Sequence, residues 1–85
     1  MNDKNKFINE KELYMIIGKN IKHYRKVYNI NNEMTQEQLA KKINVSTSLI
    51  GNLESKNTYQ GISTYNLYKI SKILNVSIEN FFTSH

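Results

Sequence analysis

At 85 residues the chain is one domain, with a core too modest to wall off a deep active site. Twelve Lys and Arg against seven Asp and Glu, a net charge of +5, favour a polyanionic partner, either nucleic acid or an anionic membrane surface. There is no cysteine for a disulfide or thiolate metal site, no apolar run near the ~18 residues of a membrane span, and no signal-peptide core in MNDKNKF, so a soluble cytoplasmic chain is expected.

Proline is absent, glycine occurs only at 18, 51 and 61, and branched residues do not alternate with polar ones over a strand's length, so the periodicities are helical and the expected class is all-α. Residues 1–8 read as a flexible polar arm. Asn9 with Glu12 resembles a capping box, and Leu13, Ile17, Ile21, Tyr24 and Tyr28 then form one apolar stripe, predicting a first helix over about 9–28. NINNE at 29–33 is turn-like. Thr35 with Gln38 makes a second capping box for a helix over about 36–43.

Asn44 stands where a left-handed C-terminal cap falls, because Asn tolerates positive φ better than any residue here except Gly. Val45 plugs that turn, and Ser46 caps a third helix over about 47–54. Leu74-Asn75-Val76-Ser77 repeats the pattern Ile43-Asn44-Val45-Ser46, closing a fourth helix over about 64–74, capped by Ser63, and opening a short fifth over 78–82. The copies lie too far apart, with flanks too different, to make a sequence repeat.

Between Gln36 and Leu53 the apolar positions and the single alanine, Ala40, suit two helices crossing steeply, with the small residue where their backbones approach. If Ile50 and Leu53 face inward, then Thr47, Ser48, Gly51, Asn52 and Ser55 point outward: small, uncharged groups on a lysine-rich chain. Asn pairs well with the N6 and N7 of adenine, Ser and Thr can donate or accept, and a glycine lets a backbone sit close to a groove. Read from composition alone, the same face is equally well a solvated helix surface.

MTQEQLA at 34–40, then Asn44-Val45-Ser46, then Ile50, Leu53 and Glu54, resemble the lambda-repressor-like, Cro-type helix-turn-helix DNA-binding family, with further likeness at Gly18-Lys19-Asn20-Ile21 and Arg25. The resemblance extends over about 16–82 and implies that 9–85 is a compact five-helix domain whose second helix braces the third across the major groove. It implies base reading by Thr47, Ser48, Gly51 and Asn52. Gln36 falls on the family's phosphate-binding Gln position, at a helix start that itself favours an anion. Lys56, Asn57, Thr58 and Tyr59 are expected to grip the backbone on the other side.

Glu54 ends the third helix, where a negative charge opposes the helix dipole. The family's pattern pairs it with Arg25, the only arginine, as a structural tie between the first and third helices. The family's two-fold habit implies a homodimer on half-sites roughly 34 Å apart, with Tyr65, Ile78, Phe81 and Phe82 as its surface. Departures are present. The stretch from Arg25 to Gln36 is longer than usual by about a helical turn, giving a longer first helix or an added loop around Asn31 and Asn32; the connection from Glu54 to Ser63 is also longer, and Leu49 is apolar. No Arg or Lys lies on the outward face of the third helix, so an A+T-leaning operator is expected.

The function expected is a sequence-specific double-stranded DNA-binding transcriptional regulator, a small dimeric repressor. The alternative is an antitoxin or adaptor of the same fold acting mainly through a protein partner. An enzyme is not expected: only His23 and His85 are present, with no nucleophile-base spacing, carboxylate pair or Gly-rich phosphate loop, and no metal or other cofactor is expected either.

Overall fold

The computed structural model describes residues 7–84. Among these there are four α-helices and no strand: α1 (Glu10–Lys26), α2 (Gln36–Ile43), α3 (Thr47–Glu54) and α4 (Thr64–Leu74), with a 3-10 helix at Ile78–Phe82 closing the chain. The predicted fifth helix is thus a single tight turn. The predicted arm at 1–8 lies mostly outside the described residues.

Each α-helix opens on a side-chain cap. Asn9 Oδ1 accepts from the Glu12 amide at 2.8 Å. At α2 the box is reciprocal, Thr35 Oγ1 accepting from the Gln38 amide at 3.0 Å and Gln38 Oε1 accepting from the Thr35 amide at 2.9 Å. Ser46 Oγ and Ser63 Oγ accept from the amides of Leu49 (3.1 Å) and Asn66 (3.0 Å). Two helices end on asparagines in the left-handed region, Asn44 at φ 60 and Asn75 at φ 57. The amide after each reaches back to the carbonyl five residues earlier, Val45 to Ala40 and Val76 to Ser71, both at 3.0 Å, which satisfies carbonyls that a helix end leaves open.

The first helix is shorter than its apolar rhythm predicts. It ends at Lys26, and Tyr28 lies beyond it at 45% exposure, outside the stripe that buries Ile17 and Ile21. Arg25 is the cause. Its carbonyl accepts from the Met34 amide and its Nη1 donates to the Met34 carbonyl, each at 2.9 Å, so the chain is drawn back and the surplus length becomes the loop 27–33.

The core is filled by α1, α2, α3 and α4 together, with Ile21, Leu39, Ile50, Ile70 and Phe81 wholly excluded from water. Gly18 marks the closest approach. A Cβ there would stand 1.8 Å from the Leu53 carbonyl oxygen, so only glycine lets α1 and α3 touch backbone to backbone. Asn20, 2% exposed, donates through Nδ2 to the Phe81 and Thr83 carbonyls at 2.8 and 2.9 Å and fastens the 3-10 helix to α1. Lys69 donates to the Ile43 carbonyl and ties α4 to the end of α2.

Candidate nucleic-acid interface

The outward face of α3 is set by what the helix buries. Ile50 and Leu53 face the core, and Leu49 packs half-buried against it, which accounts for an apolar residue at that position. Thr47, Ser48 and Asn52 are exposed and Gly51 is partly exposed, so these four share one surface that carries no charge. Ser55 turns away from that set: its hydroxyl accepts from the Asn57 amide at 3.2 Å and lies 3.4 Å from Thr58 Oγ1, organising the loop after α3.

Behind this face lies a buried ionic knot. Arg25 Nε donates to Glu54 Oε2 at 2.8 Å and Nη2 to Oε1 at 2.7 Å, with side-chain exposures of only 5% and 3%. The fork geometry is the one that suits guanidinium and carboxylate. The hydrogen bonds to Glu54 hold the Arg25 pKa above its ordinary value although burial opposes this, so the charge is permanent. A pair this dry holds α1 to α3 and is unlike an exposed surface pair. Its second effect is electrostatic: the one acid of α3 is withdrawn from the surface.

Gln36 joins the same knot. Its Nε2 donates to Glu54 Oε1 at 3.0 Å, while its Oε1 lies 3.5 Å from where a Gly51 Cβ would be. The first residue of α2 is thereby held beside the middle of the α3 face.

Beyond α3, Lys56, Asn57 and Thr58 are exposed on the loop, next to the α3 face through Ser55. Tyr59 is otherwise engaged. Its hydroxyl donates to Glu10 Oε1 at 2.7 Å and its ring meets Tyr14 edge-on at 6.0 Å, which fastens the loop to the start of α1. That bond to the Glu10 carboxylate raises the phenol pKa above its usual value.

The expected dimer surface divides. Phe81 is 0% exposed, packs edge-on against Tyr24 at 5.5 Å, and belongs to the core, so it is not available to a partner. Tyr65, Ile78 and Phe82 are exposed at 67%, 37% and 44%. Tyr68, which sequence reasoning passed over, stacks on Tyr65 and lines a groove with Ile78, linking those two positions. The roles missed were those of Gly18 against α3 and of Asn20 at the 3-10 helix; for Gly18, a glycine inside a helical rhythm was the available signal, since it costs stability unless packing requires it. Among the described residues no cluster of His, Cys, Asp or Glu could hold a metal, and no helix is long and apolar enough to cross a membrane.

The model of the helix-turn-helix family matches residues 21–81, more than two thirds of the chain. The chain belongs to that family, of the lambda-repressor-like, Cro type. This helix-turn-helix protein also resembles the crystal structure of a hypothetical transcription factor, NHTF from Neisseria, with a TM-score of 0.71 at 21% identity. The likeness covers 89% of this chain and 79% of that one, and at this identity it speaks for the fold. No curated protein matches the chain significantly. Family membership implies double-stranded DNA as the partner and places the chain among DNA-binding transcriptional regulators.

Proposed function

We propose that the protein is a sequence-specific regulator acting in the cytoplasm as a small homodimeric repressor, without enzymatic activity, that reads the major groove with α3. Thr47, Ser48, Gly51 and Asn52 contact base edges; Gln36, Lys56, Asn57 and Thr58 hold phosphates. The observation that carries this reading is the uncharged, exposed face of α3, from which Glu54 has been withdrawn into a buried pair beside Gln36. Tyr59 contributes by holding the phosphate loop in place. With no Arg or Lys on that face, adenine and thymine are favoured over guanine.

Selection of bound sequences from a random duplex pool tests the proposal. The expected result is enrichment of inverted, A+T-leaning half-sites about one turn, roughly 34 Å, apart. Asn52→Ala is expected to weaken binding on the selected sequence and leave binding to scrambled duplex unchanged. Absence of any enriched sequence would sink the reading. The exposed patch of Tyr65, Tyr68, Ile78 and Phe82 supports the homodimer and is also what favours a second reading, an antitoxin or adaptor whose main partner is another protein. In that case Asn52→Ala leaves activity intact, while Phe82→Ser abolishes it.

A further inference from the structure

Residues 10–20 of α1 precede the stretch that the family model matches. Lys11, Met15 and Lys19 succeed one another at four-residue steps along one side of α1, and all are exposed. That side faces the segment that leaves α3. Lys11 and Met15 share a groove with Ser55, Lys56 and Asn57, and Met15 and Lys19 share its continuation with Glu54, Ser55 and Lys56.

Two contacts make α1 and this segment one wall. Gly18 lies on the Leu53 carbonyl, and Tyr59 is bonded to Glu10. Of the acids nearby, Glu54 is buried and ion-paired, while Glu10 and Glu12 keep their charge in the first turn of α1, Glu10 accepting from Tyr59 and Glu12 from Asn9 Nδ2 at 3.2 Å. Three ammonium groups, those of Lys11, Lys19 and Lys56, line the rim next to the C-terminal end of the α3 face.

We infer that Lys11 and Lys19, together with Lys56, form a cationic wall that binds the sugar-phosphate backbone of duplex DNA where it passes the C-terminal end of α3. This rests on the DNA reading above and extends its footprint to a part of α1 outside the family match. Two helical steps of four residues separate the α1 lysines by about 12 Å, too far for one phosphate, so each pairs with its own.

The test measures affinity of the full-length chain for a duplex at several salt concentrations. Each of Lys11→Gln and Lys19→Gln is expected to reduce the slope of log K against log salt by about 0.9, and the double variant by about 1.8, because one released counterion set is lost per contact. Affinity should fall alike on preferred and scrambled sequences. Lys42→Gln, the same charge change at an exposed lysine in a separate groove beside Tyr28 and Asn29, is the control and should leave the slope unchanged. A double variant with the wild-type slope, or a change no larger than the control's, overturns the wall while leaving the DNA reading intact. A wild-type chain that shows no salt-dependent binding to duplex overturns both. Circular dichroism confirms that the variants keep their helices, as exposed Lys→Gln changes in a helix should.

Discussion

Ile43-Asn44-Val45-Ser46 and Leu74-Asn75-Val76-Ser77 reverse the chain in the same way. Their asparagines sit at φ 60, ψ 50 and φ 57, ψ 48, and the two valine amides make the same backward bond. The elements beyond them differ. Ser46 accepts from the Leu49 amide and opens a true α-helix, whereas Ser77 makes no side-chain cap bond and the chain closes into a 3-10 helix whose Asn80 amide bonds to the Ser77 carbonyl. An Asn-Val turn therefore fixes the reversal locally, while the type of the next helix depends on its cap and on the surface it meets. After the first turn that surface is α1 at Gly18 and Arg25; after the second it is the pocket around Phe81 and the side chain of Asn20.

The largest test of this contrast is at the anchors. Glu54→Ala strands a buried guanidinium and should cost about 3–5 kcal/mol, and Phe81→Ala should cost about as much, ~3–5 kcal/mol, through its cavity. Both are read from chemical denaturation. Only the Glu54 change should also release Gln36 and disturb the α3 face, so a DNA-binding defect beyond the stability loss is expected for that variant alone. Next come the turns themselves: Asn44→Ala and Asn75→Ala should each lose about 1–2 kcal/mol, since alanine tolerates the left-handed region poorly. Unequal losses would break the equivalence of the two turns. A finer separation comes from the serines, where Ser46→Ala should cost about 1 kcal/mol as a lost cap and Ser77→Ala should stay within ~0.5 kcal/mol. A stability effect of the opposite sign is expected at Gly51. A Cβ there finds ordinary contact distance, 3.5 Å to Gln36, so Gly51→Ala should stabilise α3 by up to about 1 kcal/mol while weakening DNA binding on the proposed reading.

Legibility in the sequence tracks the range of the interactions. Caps at Asn9, Thr35, Ser46 and Ser63, and the left-handed asparagines, depend on neighbours within a few residues, and their chemistry can be read directly. The boundary of α1 cannot, because Tyr28 continues the apolar rhythm and only the clasp between Arg25 and Met34 ends the helix. Whether Phe81 faces in or Phe82 does is likewise decided by Tyr24 and Asn20, far back in the chain. The outward face of α3 was legible because two inward apolar residues fix a helix's orientation. The position of Tyr59 was not, since its partner Glu10 lies 49 residues away.

The loop 27–33 leaves the body and returns to it through the same residue, with both main-chain groups of Met34 bonded to Arg25. Its two ends are thus held together by the core, independent of how many residues lie between them. Lengthening such a closed excursion is thermodynamically mild, about 0.6 kcal/mol per doubling. With Ile30 at 96% exposure and no core side chain supplied from 27–33, the loop is a natural place for the chain to accept grafted peptides or changes in length, and a short epitope placed after Ile30 should leave the helices intact.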